Sequence, residues 1–293
     1  MYAHCVPHRN SELCKVFSLQ SNLAEVFSSQ KSPISCLDGI RTISTILIVM
    51  LHVWRFIILR SSHLNEYTAL EFWYSPLSNL LEHGRNAVDT FFFLSSFLVM
   101  YNFQNKTLKG QHFSLWKFYL NRYFRLFPVL LIVFLFYITL GKFCGKGPMH
   151  DNLDVEHWRK NAWTQIVGIA NFYCLSPRVS GLVHLWYVHC DTQLYLLTPI
   201  AFLVYLKFSK KISLVFICIV LLVSIASVFT GGFMITGNYG IYAVKYWIQF
   251  YSVPYFRGNS WIMGLLCAYF FIPMKTSPLK LNKNNEHNSD HKA

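Results

Sequence analysis

Ionisable side chains, among them Asp38, Arg41 and His52, interrupt an otherwise apolar run, CLDGIRTISTILIVMLHVWRFIIL, at residues 36–59. Arg41 and His52 are 11 residues apart. In an α-helix this is three turns plus about 20°, so both lie on one stripe, roughly 16 Å apart along the axis. Asp38 precedes Arg41 by three residues, the spacing of an intrahelical ion pair. Ionisable groups inside a bilayer are expensive and normally face protein or water, so this stripe predicts a functional site.

A second set of polar residues lies in HLWYVHCDTQLYLLTP, residues 184–199. Three members are spaced by seven and share one helical face: His184, Asp191 and Thr198. Tyr187 and Tyr195 flank the same stripe, and an aspartate in mid-helix needs a partner. The pattern predicts either a polar face that lines a cavity or a structural network of hydrogen bonds between helices.

The composition indicates a membrane protein with several spans. The chain is 54% hydrophobic and 13% charged, with a mean hydropathy of +0.34, whereas soluble domains carry about 25% charged residues. Its net charge of +13 is dispersed between apolar runs, which argues against a nucleic-acid partner. The sequence has no serine in a nucleophile elbow and no phosphate-binding glycine loop, which argues against hydrolase and NTPase classes. No metal-ligand spacing occurs, so we expect no metal site.

The apolar runs predict an all-α bundle of about six membrane-spanning helices, at residues 40–59, 87–103, 124–140, 184–208, 212–229 and 260–272. Basic residues after the second, fourth and sixth spans place those loops on one side, which we expect to be cytoplasmic together with both termini. The organelle stays open. Pro128 is expected in the first turn of the third span and Pro199 at a kink in the fourth.

The remaining segments flank this domain, which covers residues 36–273. Residues 1–35 are expected to form a cytoplasmic segment with a short amphipathic piece at 18–28 and without a cleavable signal peptide. Residues 274–293 form a polar tail that we expect to be disordered. A long loop, 141–181, holds Cys144 and Cys174, and the sequence leaves open whether they form a disulfide.

Several motifs resemble the acyltransferase-3 superfamily. The first is CLDGIRTISTILIVMLH, with an Arg and a His separated by ten residues, followed by VDTFFFLSSFLV and YLNRYFRLFPVLL. Three further segments, FSLQSNLAEVFS, HLWYVHCDTQLYLLTP and VPYFRGNSWIMGLLCAYF, resemble the animal branch called "nose resistant to fluoxetine". The resemblance covers residues 17–272, about half of the usual membrane domain of that branch. Ser96 stands where the family usually has glycine, which predicts a disturbance of close helix packing.

The resemblance implies an O-acyltransferase that moves an acyl group from a thioester donor to a hydroxyl acceptor. Acyl-CoA is the implied co-substrate, and no bound cofactor is expected. His52 is the candidate general base, which typically contributes ~10²–10⁴-fold, and Arg41 the candidate stabiliser of negative charge. Asp89 is expected to orient His52 or Arg41, or to cap the second span.

Further residues are expected to bind the substrates: Asp38, Arg122, Arg125, His184, Asp191, Gln193 and Tyr195. Among them, Arg122 and Arg125 are the candidates to hold the CoA phosphates, although positive-inside topology alone also places basic residues there.

Two alternatives remain open at this point. One is a non-catalytic transport protein for lipids or small hydrophobic molecules, and the other is an inactive truncated copy. The expected partners are membrane lipids, the acyl donor and the hydroxyl acceptor, and the oligomeric state is not predicted.

Overall fold

The computed structural model describes residues 18–27, 34–60, 67, 71–72, 74–144, 159–173, 183–239 and 250–276. Its α-helices are α1 (Leu19–Phe27), α2 (Cys36–Arg60), α3 (Pro76–Glu82), α4 (Ala87–Leu108), α5 (Leu115–Thr139), α6 (Ala162–Val167), α7 (Ala170–Tyr173), α8 (Trp186–Lys207), α9 (Lys210–Tyr239) and α10 (Pro254–Thr276). Short 3₁₀ helices occupy His83–Asn86, Gly141–Phe143 and Val183–Leu185. No strand occurs in these residues, so the predicted all-α class is confirmed. The chain divides into two compact units, residues 1–42 and 43–293.

Three segments within the described residues are long and apolar enough to cross a membrane: Cys36–Trp54 in α2, Leu115–Thr139 in α5 and Lys210–Met234 in α9. No more than 17% of each of these segments is buried. By contrast, α4 and α8 supply many of the buried side chains. The other three predicted spans coincide with α4, α8 and α10, and their crossing of the membrane stays a prediction.

Contacts within the larger unit give the relative directions of α4, α5 and α8. Near the starts of α4 and α8, Phe92 contacts Trp186, and near their ends Phe103 stacks on Phe202, so these two helices run in the same direction. The helix α5 runs opposite to them, since its first turns contact the second half of α8. Loops α4–α5 and α8–α9 therefore lie at one end of this unit, which we call the basic end because it carries Lys106, Lys109, Lys117, Lys207, Lys210 and Lys211. The side of the membrane that this end faces stays a prediction.

The helices α4 and α10 approach each other closely through small residues. A Cβ atom on Gly264 would collide with Ser96 Oγ and with the carbonyl oxygen of Phe93. Ser96 is fully buried, and its hydroxyl donates to that same carbonyl at 3.0 Å. The expectation that Ser96 disturbs close packing was wrong, because Gly264 on the facing helix leaves the space that the serine occupies.

Several predicted boundaries are corrected by the structure. The helix α5 begins at Leu115 and not at residue 124, so Pro128 lies in the middle of the helix and not in its first turn. Part of the predicted loop 141–181 forms α6 and α7. The predicted piece at 18–28 is confirmed as α1. Cys174 and residues 277–293 lie outside the described residues, so the disulfide and the disordered tail stay predictions.

Replacing Gly264 with alanine should destabilise the domain. Alanine is the better helix former by about 0.5–1 kcal/mol, but its Cβ would strike backbone on α4 and not a flexible side chain. We expect a net loss of about 1–3 kcal/mol, measured by unfolding of the purified protein in detergent. Gly141→Ala is the matched control, because its Cβ would meet Tyr137 Cδ1 at an ordinary 3.8 Å. Equal stability of the two variants would contradict the close approach of α4 and α10.

Candidate functional site

A cavity of about 530 Å³ opens at the basic end, between α4, α5, α8 and the loop that joins α4 to α5. Its basic lining residues are Lys106, His112, Lys117, Arg122 and Arg125. Its aromatic lining residues are Phe103, Phe113, Phe118, Tyr195 and Phe202. No carboxylate is among the described residues that line it. The cavity therefore combines positive charge with flat apolar surface.

The aromatic wall is fixed by ring stacking. Phe103 and Phe202 stack with centroids 3.9 Å apart and planes 3° apart, and Phe118 and Tyr195 stack at 4.1 Å and 3°. Stacked aromatic pairs of this kind contribute roughly 0.5–1.5 kcal/mol beyond the area they bury. The wall is thus held in place by contacts among α4, α5 and α8 themselves.

Arg122 on α5 is held in place by two residues of α8. Its guanidinium forms an ion pair with the Asp191 carboxylate and lies 4.6 Å from the centre of the Tyr195 ring. The Tyr195 hydroxyl in turn donates to the carbonyl of Phe118 at 3.1 Å. The side chains of Arg122 and Asp191 are only 17% and 6% exposed. Asp191 is the partner of Arg122 and is not among the residues that line this cavity, and its expected contact with substrate stays a prediction.

Two other residues of the second polar set belong to a structural network. Gln193 donates from Nε2 to the carbonyl of Gly168 at 2.7 Å and to Asn171 Oδ1 at 2.9 Å, and Asn171 Nδ2 donates back to Gln193 Oε1 at 3.1 Å. The Trp261 indole donates to Thr198 Oγ1 at 3.0 Å. For Gln193 and Thr198, the structure agrees with the alternative of hydrogen bonds between helices. No sequence pattern indicated a role for Asn171, which lies in the predicted loop 141–181.

Asp89 has a partner that the sequence analysis missed. Arg257 Nη1 donates to both carboxylate oxygens of Asp89, at 3.1 and 3.0 Å. Arg257 is itself fixed by its Nε bond to the carbonyl of Tyr251 at 2.9 Å and lies 4.1 Å from the centre of that ring. In the structure Asp89 thus pairs with Arg257, and its expected action on His52 or Arg41 stays a prediction. The sequence contained an arginine in VPYFRG and an aspartate that needed a cation, but nothing in it linked these two residues.

The two histidines of the predicted site meet at the end of the unit away from the cavity. The rings of His52 and His184 stack with centroids 4.9 Å apart and planes 19° apart, and both residues are exposed. His52 Nδ1 lies 2.8 Å from the carbonyl oxygen of Ile48. Since a carbonyl only accepts, Nδ1 carries the proton in this bond, and Nε2 of the neutral ring keeps its lone pair. With this hydrogen bond, a neutral imidazole at His52 has the tautomer that a general base requires.

Asp38 and Arg41 belong to the smaller unit. Arg41 Nη1 donates to Asp38 Oδ1 at 2.9 Å, which confirms the predicted ion pair. The side chains are 39% and 55% exposed. The expected action of Arg41 on the donor stays a prediction.

The ion pair between Arg122 and Asp191 should contribute far more stability than the pair between Arg41 and Asp38. Asp191→Ala leaves a buried guanidinium without its counter-ion, which typically costs about 3–5 kcal/mol. Asp38→Ala removes an exposed partner and should cost less than about 1 kcal/mol. Thermal unfolding of both variants in detergent measures the difference. Similar losses in the two variants would show that Asp191 does not hold a buried charge.

Comparison with known proteins gives the family. The acyltransferase domain of the acyltransferase-3 family matches residues 34–280. The chain is also similar to Nose resistant to fluoxetine protein 6 of Caenorhabditis elegans, at 28% identity over 283 residues. That alignment covers 86% of this chain and 34% of the relative, so the chain spans about a third of that protein. No solved structure matches. The apolar helices and the family match together show that this is a membrane protein. The chain belongs to the acyltransferase-3 family.

Proposed function

We propose that this domain transfers an acyl group from acyl-CoA to a hydroxyl acceptor, with the nucleotide part of the donor in the cavity at the basic end. The observation that carries the proposal is the lining of that cavity: basic side chains, stacked aromatic rings and no described carboxylate. The family match supports acyl transfer in general, and the cavity supports this choice of donor.

The cavity lining matches the chemistry of a CoA nucleotide. Its phosphates are anions that lysine and arginine bind through charge-assisted hydrogen bonds, and arginine adds planar bidentate geometry. Its adenine is a flat ring that can lie against an aromatic wall such as the one formed by Phe103, Phe118 and Tyr195. Arg122 is already held in place by Asp191, so less conformational entropy is lost when a phosphate binds.

His52 supplies the proton transfer in this proposal. Its Nε2 takes the proton of the acceptor hydroxyl while that oxygen attacks the thioester carbon. A C–O bond forms, the C–S bond breaks, and the CoA sulfur leaves as a thiolate that takes the proton back from His52. The bond from His52 Nδ1 to the carbonyl of Ile48 keeps Nε2 available for both steps.

The donor and the acceptor approach from different ends in this proposal. His184 precedes Tyr195 by 11 residues, which is roughly 16 Å of helix, so the base lies well away from the cavity. The basic end is expected to face the cytoplasm, where acyl-CoA is available, and the acceptor arrives from the membrane or from the far side. The extended arm of the donor has to bridge the distance to His52.

His52→Ala should lower acyl transfer by about 10²–10⁴-fold, because the acceptor hydroxyl loses its base. The measurement is turnover of acyl-CoA by the purified protein with a lipid or sterol hydroxyl as acceptor. His83→Ala is the matched control, since His83 is also exposed and its Nδ1 makes the same kind of bond, to the carbonyl of Asn79 at 2.6 Å. Equal turnover of wild type and His52→Ala would refute the assigned base. Binding of acyl-CoA without any turnover by the wild type would favour the non-catalytic alternative.

Arg125→Gln combined with Lys117→Gln should weaken the binding of CoA by about 100-fold or more, since each of the two charge-assisted hydrogen bonds contributes about 1.5–3 kcal/mol. The loss should shrink at high salt and be smaller for 3′-dephospho-CoA, which carries fewer charges. Binding is measured by calorimetry in detergent. Lys211→Gln is the control, because Lys211 lies at the same end of the unit but is not part of the cavity lining. An unchanged affinity in the double variant would show that the nucleotide part of the donor does not bind in this cavity.

A further inference from the structure

We propose that His184 is a positioning residue for the transfer step: its ring fixes the His52 ring by stacking and stabilises the positive charge that His52 acquires. The inference rests on the proposed function, since it assigns a task to the neighbour of the base. The observation behind it is the stack of the two imidazoles, with centroids 4.9 Å apart and planes 19° apart.

A single hydrogen bond does not fix the imidazole of His52. The torsion that turns a histidine ring has a broad distribution, so the bond from Nδ1 to the carbonyl of Ile48 leaves the ring plane free to rock. A second flat ring at stacking distance limits that motion. The hydrogen bond determines which nitrogen carries the proton, and His184 determines the plane in which the Nε2 lone pair lies.

The stack also matters when the charge of His52 changes. As His52 takes the acceptor proton, it becomes a cation that lies over the face of a neutral aromatic ring, an arrangement that attracts through the ring quadrupole. Two imidazolium ions at the same distance would repel each other. The pair is therefore suited to hold one positive charge, the number that the transfer step produces.

The surroundings of His184 point to this task and not to core packing. His184 lies in the 3₁₀ turn Val183–Leu185, ahead of α8, and both histidines are exposed. Because both rings are exposed, removal of apolar surface from water does little to explain why they stack. The position of His184 is set by Trp186, two residues later, which is buried and contacts the rings of Phe92 and Tyr251.

The test compares His184→Ala with His184→Phe in the full chain. The alanine variant removes the ring, and we expect kcat to fall by roughly 10-fold or more while KM for acyl-CoA stays within about 2-fold, because the cavity is remote. Phenylalanine restores a flat ring without nitrogen atoms and should return kcat to within about 3-fold of the wild type. Unchanged CoA affinity in both variants shows that they are folded.

A second measurement does not depend on turnover. Diethyl pyrocarbonate modifies accessible imidazole nitrogens, and peptide mass spectrometry follows its reaction with His52. We expect a several-fold faster modification of His52 in His184→Ala than in the wild type, and a rate close to the wild type in His184→Phe. His83 serves as the internal reference in each sample, because its own bond, from Nδ1 to the carbonyl of Asn79, does not involve His184.

Two results would overturn the inference. One is a kcat, or a modification rate of His52, that does not change in His184→Ala. The other is a His184→Phe variant as poor as His184→Ala, which would mean that the nitrogen atoms of His184 matter and not its flat surface. The wild type could also lack acyl transfer while the modification rates follow the expectation. That result would refute the proposed function but support the conclusion that His184 fixes the ring of His52.

Discussion

Charge inside an apolar helix bundle has to be paired, and this constraint determines much of the arrangement of the larger unit. Asp191 on α8 is paired with Arg122 on α5, and Asp89 on α4 with Arg257 on α10. Each pair joins two helices, so it fixes their register as well as neutralising the charge. Replacing such a pair by apolar residues is often tolerated, whereas losing one partner is not. The same arginine that satisfies Asp191 also reaches the cavity, so the structural requirement and the proposed donor site share one side chain.

The six long helices are of two kinds, and the difference between them explains where a polar site can form. The outer kind, α2, α5 and α9, is apolar enough to span a membrane and buries little of its surface. The inner helices, α4 and α8, bury serine, glutamine, histidine and aspartate side chains beside their apolar ones, and α10 packs against α4 through Gly264. Because polar groups in lipid are costly, they collect where the inner helices face one another and where α5 closes over them. The cavity and the two ion pairs, Arg122–Asp191 and Arg257–Asp89, lie between these helices.

The sequence was informative where the relevant partner is near in the chain. An apolar run of about 20 residues has to satisfy its backbone as a helix, which is why a long helix overlaps each of the six predicted spans, although several boundaries differ. The pair Asp38–Arg41 was predictable because residues three apart are neighbours on any helix. The partner of Asp89 was not, because Arg257 is 168 residues away. The start of α5 was missed for another reason: Lys117, Arg122 and Arg125 resemble a basic loop, yet they are the helical residues that line the cavity.

One face of α8 connects the two halves of the proposed site. His184, Tyr187, Asp191 and Tyr195 follow at intervals of three or four residues, so they lie along a single stripe that begins just before the helix. His184 stacks on His52, the proposed base, Tyr187 contacts the ring of Phe92 on α4, Asp191 pairs with Arg122, and Tyr195 lines the cavity. The same stripe was ambiguous in the sequence, where a cavity wall and a hydrogen-bond network gave the same spacing. Burial differs along the stripe: His184 is exposed, whereas Asp191 and Tyr195 are both buried, the first against Arg122 and the second in the wall of the cavity.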